Sequence, residues 1–283
     1  MGCPRQAMIV RDLASFREDN PLRPKIGDQG VFYDKRLNTY RVEMAVPCGK
    51  CETCNAARAQ QWAIRCACEL MEPVHSDYRL ASFITLTYSD DNLPPDGKVH
   101  KEHLQKFFRR LRKKIPHIRY FACGEYGDQT RRPHYHAIIF GADFMGDATP
   151  FNGEHFISPQ LNEIWGLGHT TTTPATYSTI CYTVGYVAKK IGDPDVFQLP
   201  SRRPGLGAAY IAKFEDDIRR TGSITIEGRE YPLPEYFFTR EDFDDLKAAR
   251  RAEAQARPAK SWQQQKSRHV NAVQKTKRIR GEL

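Results

Sequence analysis

The chain has 283 residues, enough for one large domain or two small ones with a buried core. Its formal net charge is +9, and the excess sits at one end: residues 247–283 hold 11 of the 43 lysines and arginines and two of the 34 acids, so residues 1–246 hold 32 of each. No apolar run approaches the roughly 20 residues of a membrane span, and the start lacks an apolar signal core. A soluble, intracellular protein is therefore expected, with its eight cysteines as thiols or metal ligands rather than disulfides.

In chain order, residues 1–47 read as irregular apart from a short strand over Tyr40–Val46. Cys48, Cys51 and Cys54 follow at metal-knuckle spacing. Asn55–Met71 lacks Pro and Gly and predicts a helix closed by Pro73. ASFITLTY, residues 81–88, is β-branched and aromatic and predicts a strand. After a loop through Gly97, His100–Lys114 predicts a basic amphipathic helix whose apolar stripe is Leu104, Phe107, Phe108 and Leu111. A strand over Arg119–Cys123 ends near Glu125, and a turn leads to a second strand, His134–Phe140. Being close in sequence, the two are expected as antiparallel neighbours. Residues 142–158 read as a loop, Pro159–Trp165 as a short helix, His169–Thr173 as a strand and Thr176–Ile191 as a helix. A Pro/Gly/Arg loop over 192–209, a hairpin about Glu227-Gly228 and a charged helix, Arg240–Arg257, with Thr239 as N-cap complete the chain. The order predicts an α+β fold: a central antiparallel sheet with helices packed on its faces, plus a small N-terminal cysteine-rich segment.

Chemistry concentrates in RPHYHAIIF, residues 132–140. Residues i and i+2 of a strand share a face, so His134 and His136 point together and Tyr135 points away. Glu125, on the strand expected alongside, completes a His2Glu set suited to Mg²⁺ or Mn²⁺ with substrate oxygen; the same ligands suit Zn²⁺. Tyr182 and Tyr186 lie one helical turn apart, with Lys189 three residues further on. A phenol of pKa about 10 attacks phosphorus well only when a cation or metal stabilises its phenolate. Each motif taken alone reads more readily as ordinary structure. Their coincidence points to DNA strand cleavage through a phosphotyrosine bond.

Cys66 and Cys68 are too far along the helix to join the knuckle: twelve helical residues span about 18 Å. Cys3 is left to fold back beside Cys48, Cys51 and Cys54 as the fourth ligand of a structural zinc; reduced, partly buried thiols are the other reading. Cys123 and Cys181 read as core. Candidate DNA contacts are Arg109, Arg110 and Lys113 on the basic helix, the loop residues Arg131, Arg132, Arg202 and Arg203, and the basic tail, unless these are solvated charges. Tyr126 and Trp165 read either as base-stacking rings or as core.

PHYHAIIF resembles the His-hydrophobic-His motif of the HUH-superfamily rolling-circle replication initiators, ASFITLTY their first motif, and CGEYG their upstream acidic ligand. YTVGYVAKK is similar to the two-tyrosine motif of the initiators of small single-stranded DNA phages. Gly185 stands where that motif commonly has lysine, and Lys189 matches the later lysine. Together, VPCGKCETC, QWAIRC, RYFACGEYG and RPHYHAIIF resemble the replication initiation proteins of gokushoviruses, in the Microviridae, over residues 1–195. The resemblance also favours a cysteine at position 3.

It implies a metal-dependent DNA-nicking and joining endonuclease in which Tyr182 or Tyr186 attacks origin DNA, Tyr186 ranking slightly ahead for its neighbouring Lys189. The products are a 5′-phosphotyrosine and a free 3′-OH, and the other tyrosine serves the closing step. Implied partners are single-stranded DNA, replicative-form origin DNA and the host helicase and polymerase, with no membrane, in the cytoplasm of the bacterial host. The implied division is residues 1–73 with the zinc knuckle and a helix, 74–239 as an HUH nuclease domain, and 240–283 as a basic tail. Two alternatives are a transposase or relaxase of the same superfamily, which the tyrosine pair argues against, and a zinc-stabilised DNA-binding protein without catalysis.

Overall fold

The computed structural model describes residues 7–12, 14, 26, 31–73, 80–127, 129–189, 195–238 and 243–256. Cys3, Thr239 and the chain beyond residue 256 lie outside them. The chain forms two compact units, one drawn from residues 1–57 and 242–283, the other from residues 58–241.

The first unit holds a three-stranded antiparallel sheet, β1 (Ala7–Asp12), β2 (Val31–Asp34) and β3 (Thr39–Val46), in the order β1-β3-β2. Two of these strands fall in the stretch expected to be irregular. The β2–β3 hairpin has a local cause: Asp34 Oδ1 accepts the N–H groups of Arg36 and Leu37, and Asn38 sits at φ 51°. The unit also contains the helix Asp244–Ala256, which starts four residues later than expected, and the start of α1 (Glu52–Met71).

The second unit is built on a seven-stranded antiparallel sheet. Its strands are β4 (Ala81–Tyr88), β5 (Arg119–Tyr126), β6 (Pro133–Phe140), β7 (Thr149–Asn152), β8 (His155–Ile157), β9 (Gly168–Pro174) and β10 (Phe197–Pro200), in the order β10-β5-β6-β4-β9-β8-β7. The helices α2 (Lys101–Lys114), α3 (Pro159–Trp165) and α4 (Tyr177–Lys189) belong to it. So do the short helices α5 (Ala208–Lys213), α6 (Glu215–Thr221) and α7 (Glu235–Phe238) and the hairpin β11 (Ser223–Ile226)–β12 (Arg229–Pro232). This is the α+β architecture the element order predicts. Among the described residues, no helix is long and apolar enough to cross a membrane.

Strand alternation sorts the core into two layers. On one face, Leu86, Tyr88, Tyr120, Tyr135 and Ile139 pack with the apolar stripe of α2 and with Leu161, Ile164 and Trp165 of α3. On the other, Phe83, Phe121, Ile138 and Phe140 pack with Ala63 and Cys66 of α1 and Ile180 and Val184 of α4. With helices on both sides, every residue of β5 is buried.

Two polar networks tie these layers down. On the first face the Tyr135 hydroxyl accepts from His100 N at 2.8 Å, donates to His100 O at 3.0 Å and lies 2.5 Å from Tyr88 Oη, which also meets His103 Nδ1 at 2.7 Å. Burial pushes the Tyr135 phenol up to about 12, so it stays protonated and structural. On the second face the fully buried Glu69 of α1 accepts from the Arg119 guanidinium of β5 and from Gly207 N at 2.8 Å. Arg119 donates onward to Pro204 O at 2.9 Å, and Arg65 lies 3.6 Å over the Tyr236 ring.

Three further differences from the sequence reading have physical reasons. The segment read as a loop at 142–158 contains the β7–β8 hairpin, whose turn signal, Asn152-Gly153, is in the sequence; Gly153 takes φ 58°. The loop at 192–209 contains β10, an edge strand that tolerates its terminal Pro200 because only one side pairs. β5 runs on to Tyr126, so Glu125 lies within the strand rather than beyond it.

Candidate active site

The antiparallel register sets Glu125 directly opposite His134 and sets Thr85 and Cys123 on either side of His136. Glu125 Oε1 lies 3.0 Å from His134 Nε2 and 3.1 Å from His136 Nε2. The ring nitrogens pointing away are held as well: His134 Nδ1 donates to Arg132 O at 3.1 Å, and His136 Nδ1 meets Thr85 Oγ1 at 3.0 Å. A carbonyl only accepts, so His134 Nδ1 carries a proton toward it, and Nε2 is the atom left to meet the carboxylate or a metal ion. Burial works to raise the Glu125 carboxyl, but the two imidazoles outweigh it and hold the group below the ordinary carboxylate range.

The three ligand atoms lie within 4.8 Å of one another. Two ligands at about 2.1 Å from one ion, at right angles, stand about 3 Å apart, which is the spacing of each imidazole from the carboxylate. The donor set fits a divalent ion.

The cluster lines a cleft of about 350 Å³ together with Thr85, Thr87, Thr130, Arg132 and Tyr182. Tyr182 is 47 % exposed on α4. Its ring stands edge-on to Phe83 and lies 5.9 Å from the His136 ring, and Phe83 in turn stacks on His136 at 5.4 Å. Buried Ile180 and Val184 fasten α4 to this face of the sheet and so fix where Tyr182 emerges. Tyr186 and Lys189 follow on the same helix, one and two turns along; their side chains lie outside the described residues.

The structure brings the charged candidates together unevenly. Arg132 reaches the cleft, with Nη2 on Tyr88 O at 2.7 Å and Nη1 on Asp90 at 2.8 Å. Arg131 adjoins it, its guanidinium 4.8 Å over the Tyr126 ring. Arg109 and Lys113 are exposed, but on α2, which covers the opposite face of the sheet. Arg110 is spent on the last carbonyls of α3, those of Ile164 at 2.7 Å and Trp165 at 2.5 Å. Arg202 and Arg203 follow β10 past Tyr120, at the end of β5 away from Glu125, about 17 Å along the strand. Trp165 is fully buried with its indole N–H on Thr87 O, and is core rather than a stacking platform. Thr85, Thr87 and Thr130 were not singled out by sequence. The alternation Phe83-x-Thr85-x-Thr87 was visible, but the strand facing it was not.

The family model for the replication-associated protein ORF2/G2P matches residues 81–191, the stretch that carries β4, the cluster and α4. Replication-associated protein ORF2 of Spiroplasma virus 4 is 31 % identical over 229 residues, covering 72 % of this chain and 70 % of that protein. The chain belongs to this family of viral replication-associated proteins. Two further members are similar: replication-associated protein VP4 of Bdellovibrio phage phiMH2K, 27 % identical over 73 % of this chain and 70 % of its own, and replication-associated protein ORF4 of Chlamydia phage 1, 30 % identical over 68 % and 52 %. No solved structure matches. In this replication-associated protein the family match and the His–His–Glu cleft fall on the same residues.

Proposed function

We propose that the protein initiates rolling-circle replication by nicking single-stranded origin DNA through a phosphotyrosine and later rejoining the strand. The observation that carries this reading is the placement of an exposed tyrosine beside a His2Glu cluster, with Glu125 and His136 buried and His134 half-buried, in one cleft. Family membership as a replication-associated protein supports it.

Glu125, His134 and His136 would hold Mg²⁺ or Mn²⁺, which polarises a phosphodiester oxygen and stabilises charge in the transition state. The Tyr182 oxygen attacks phosphorus. A bond forms from phosphorus to the phenolic oxygen, the bond to the 3′ oxygen breaks, and the phenolic proton is passed on so that the strand end leaves as a 3′-OH. The phosphoester is exchanged, not hydrolysed, so the reverse attack by a 3′-OH rejoins DNA without ATP. Thr85 and the Arg132 carbonyl keep the imidazoles oriented, while the Arg132 guanidinium and the threonine hydroxyls line the path of the backbone. Tyr186, one turn on, takes the second cleavage, with Lys189 beside it to stabilise its phenolate. The single-stranded and replicative-form origin are the substrates, and the host helicase and polymerase use the 3′ end, in the bacterial cytoplasm. Residues 74–239 would be the nuclease domain and 240–283 a phosphate-binding tail. Arg131 would add to the grip near the cleft, and Arg109, Lys113, Arg202 and Arg203 would meet DNA leaving the site.

The test uses labelled single-stranded fragments tiling the cognate genome, with Mn²⁺ or EDTA, on denaturing gels. A metal-dependent covalent adduct carrying only DNA downstream of the cut, absent from the Tyr182→Phe/Tyr186→Phe double variant, is the expected result. Tight binding with no adduct on any tile overturns the enzymatic reading in favour of a DNA-binding module.

A further inference from the structure

The proposed nicking chemistry does not call on the cysteine-rich segment, yet its geometry is specific. The Sγ atoms of Cys48, Cys51 and Cys54 lie within 4.8 Å of one another. The convergence has a local cause. Cys51 takes the N-cap position of α1: helix begins at Glu52, and the Cys51 carbonyl accepts the N–H of Asn55 at 3.0 Å. Cys54 is three residues further on, and the side chains of the N-cap and of the third helical residue meet over the first turn, as they do in a capping box. Gly49, at φ 73°, turns the chain so that Cys48 Sγ accepts the N–H of Cys51 at 3.3 Å. Asn55 Nδ2 closes the turn on Lys50 O at 3.3 Å.

This arrangement favours sulfur as an anion. A backbone N–H points at Cys48 Sγ, and two of the three sulfurs stand at the N-terminal end of a 20-residue helix, where the dipole stabilises negative charge. Three thiolates brought together without a bound cation would repel one another. Thiolates at about 2.3 Å around a tetrahedral zinc stand about 3.8 Å apart, inside the span found here. Soft sulfur ligands exclude the hard cations that suit the oxygen-bearing cluster on the sheet. Cys51 is buried and the other two half-buried, as a closed structural site requires.

We propose that Cys48, Cys51 and Cys54 bind a structural zinc ion as thiolates, fastening the 48–51 turn to the first turn of α1. Cys3 is the remaining sequence candidate for the fourth ligand, since Cys66, Cys68 and Cys123 are buried in the core of the nuclease unit and Cys181 packs against that core. The ion would be distinct in ligand chemistry from that of the His2Glu cluster, and its binding energy would contribute to folding of the segment.

The experiment uses the full chain, purified reduced and without chelator. Elemental analysis is expected to find stoichiometric zinc, which a mercurial thiol reagent releases to a chromophoric indicator. Replacement by Co²⁺ is expected to give thiolate-to-metal charge-transfer absorption, a signature that imidazole and carboxylate ligands cannot produce. Both signals are expected to vanish in Cys48→Ser/Cys51→Ser, to weaken in Cys3→Ser, and to persist in Glu125→Ala/His134→Ala and in the double tyrosine variant. Persistence in those last two separates this site from the nicking reaction, so either idea can fail alone. Wild-type protein that lacks zinc and shows no charge-transfer band on Co²⁺ addition overturns the proposal without depending on whether any variant folds.

Discussion

Thr85 holds the imidazole nearest the exposed tyrosine, through its hydroxyl 3.0 Å from His136 Nδ1. Thr85→Val keeps the shape and removes that partner. In the proposed metal site it is expected to weaken Mn²⁺ binding by about 10–100-fold, the usual effect of losing a group that orients a ligand, with Thr85→Ser restoring it; calorimetric titration of the apo protein reads this directly. Two glycines act in opposite directions. A Cβ at Gly124 would meet the Phe197 ring at 2.9 Å and Tyr135 at 3.2 Å, so Gly124→Ala is expected to cost about 1–3 kcal/mol through overpacking. A Cβ at Gly185 meets nothing within 4 Å, so Gly185→Ala is expected to stabilise by about 0.5–1 kcal/mol through helix propensity, read as a higher Tm. At this scale the sequence carried the histidine pair of the proposed metal site, because strand alternation alone puts His134 and His136 side by side. It did not carry Thr85, whose role exists only once β4 lies against β6.

At the scale of elements, legibility followed local chemistry. α3 runs over Pro159–Trp165 as expected because every boundary signal is local: Ser158 accepts from Leu161 N, Pro159 opens the helix, and Gly166 closes it at φ 66°. β1 and β10 pair with partners far away in the chain, β3 and β5, and each is too short to stand out alone. The same non-local dependence makes Glu69 valuable, since it joins α1, β5 and the 204–207 segment in a fully buried site. Glu69→Ala strands the Arg119 charge and is expected to cost about 3–5 kcal/mol in denaturant unfolding. On α2, burial, with His100 and Lys106 nearby, lowers the pKa of His103, so the native state holds the neutral ring while the unfolded chain binds a proton more readily. Stability from this group is therefore present above the ordinary imidazole value of 6.5 and falls as pH drops through it. Thermal unfolding of His103→Gln is expected to show a flatter pH dependence there.

For the whole molecule, the charge asymmetry separates tasks. Residues 1–246 balance their charges, while the last 37 carry the excess. Deleting residues 258–283 removes seven lysines and arginines and one acid. It is expected to weaken binding to single strands of any sequence and to lower the salt slope by about 0.7 for each phosphate that the tail no longer neutralises, leaving the position of the cut unchanged. Fluorescence anisotropy across a salt series measures it, and an unchanged slope would mean that the tail is only a solubiliser.

Tyr135 gives the histidine-bearing strand a fixed parity. Its hydroxyl is moored to His100 and Tyr88 behind the sheet, while its two neighbours in the chain carry the imidazoles in front. A shift of one residue would swap the sides, swinging the phenol into the cleft and both histidines into an apolar layer. The strand behaves like a two-position key that fits its lock only on even teeth. Drift at the turn before it is thereby quantised: lengthening that pushes β6 along by a single residue erases the site, whereas one absorbed wholly by the turn, or passed on in pairs, keeps the histidines facing front.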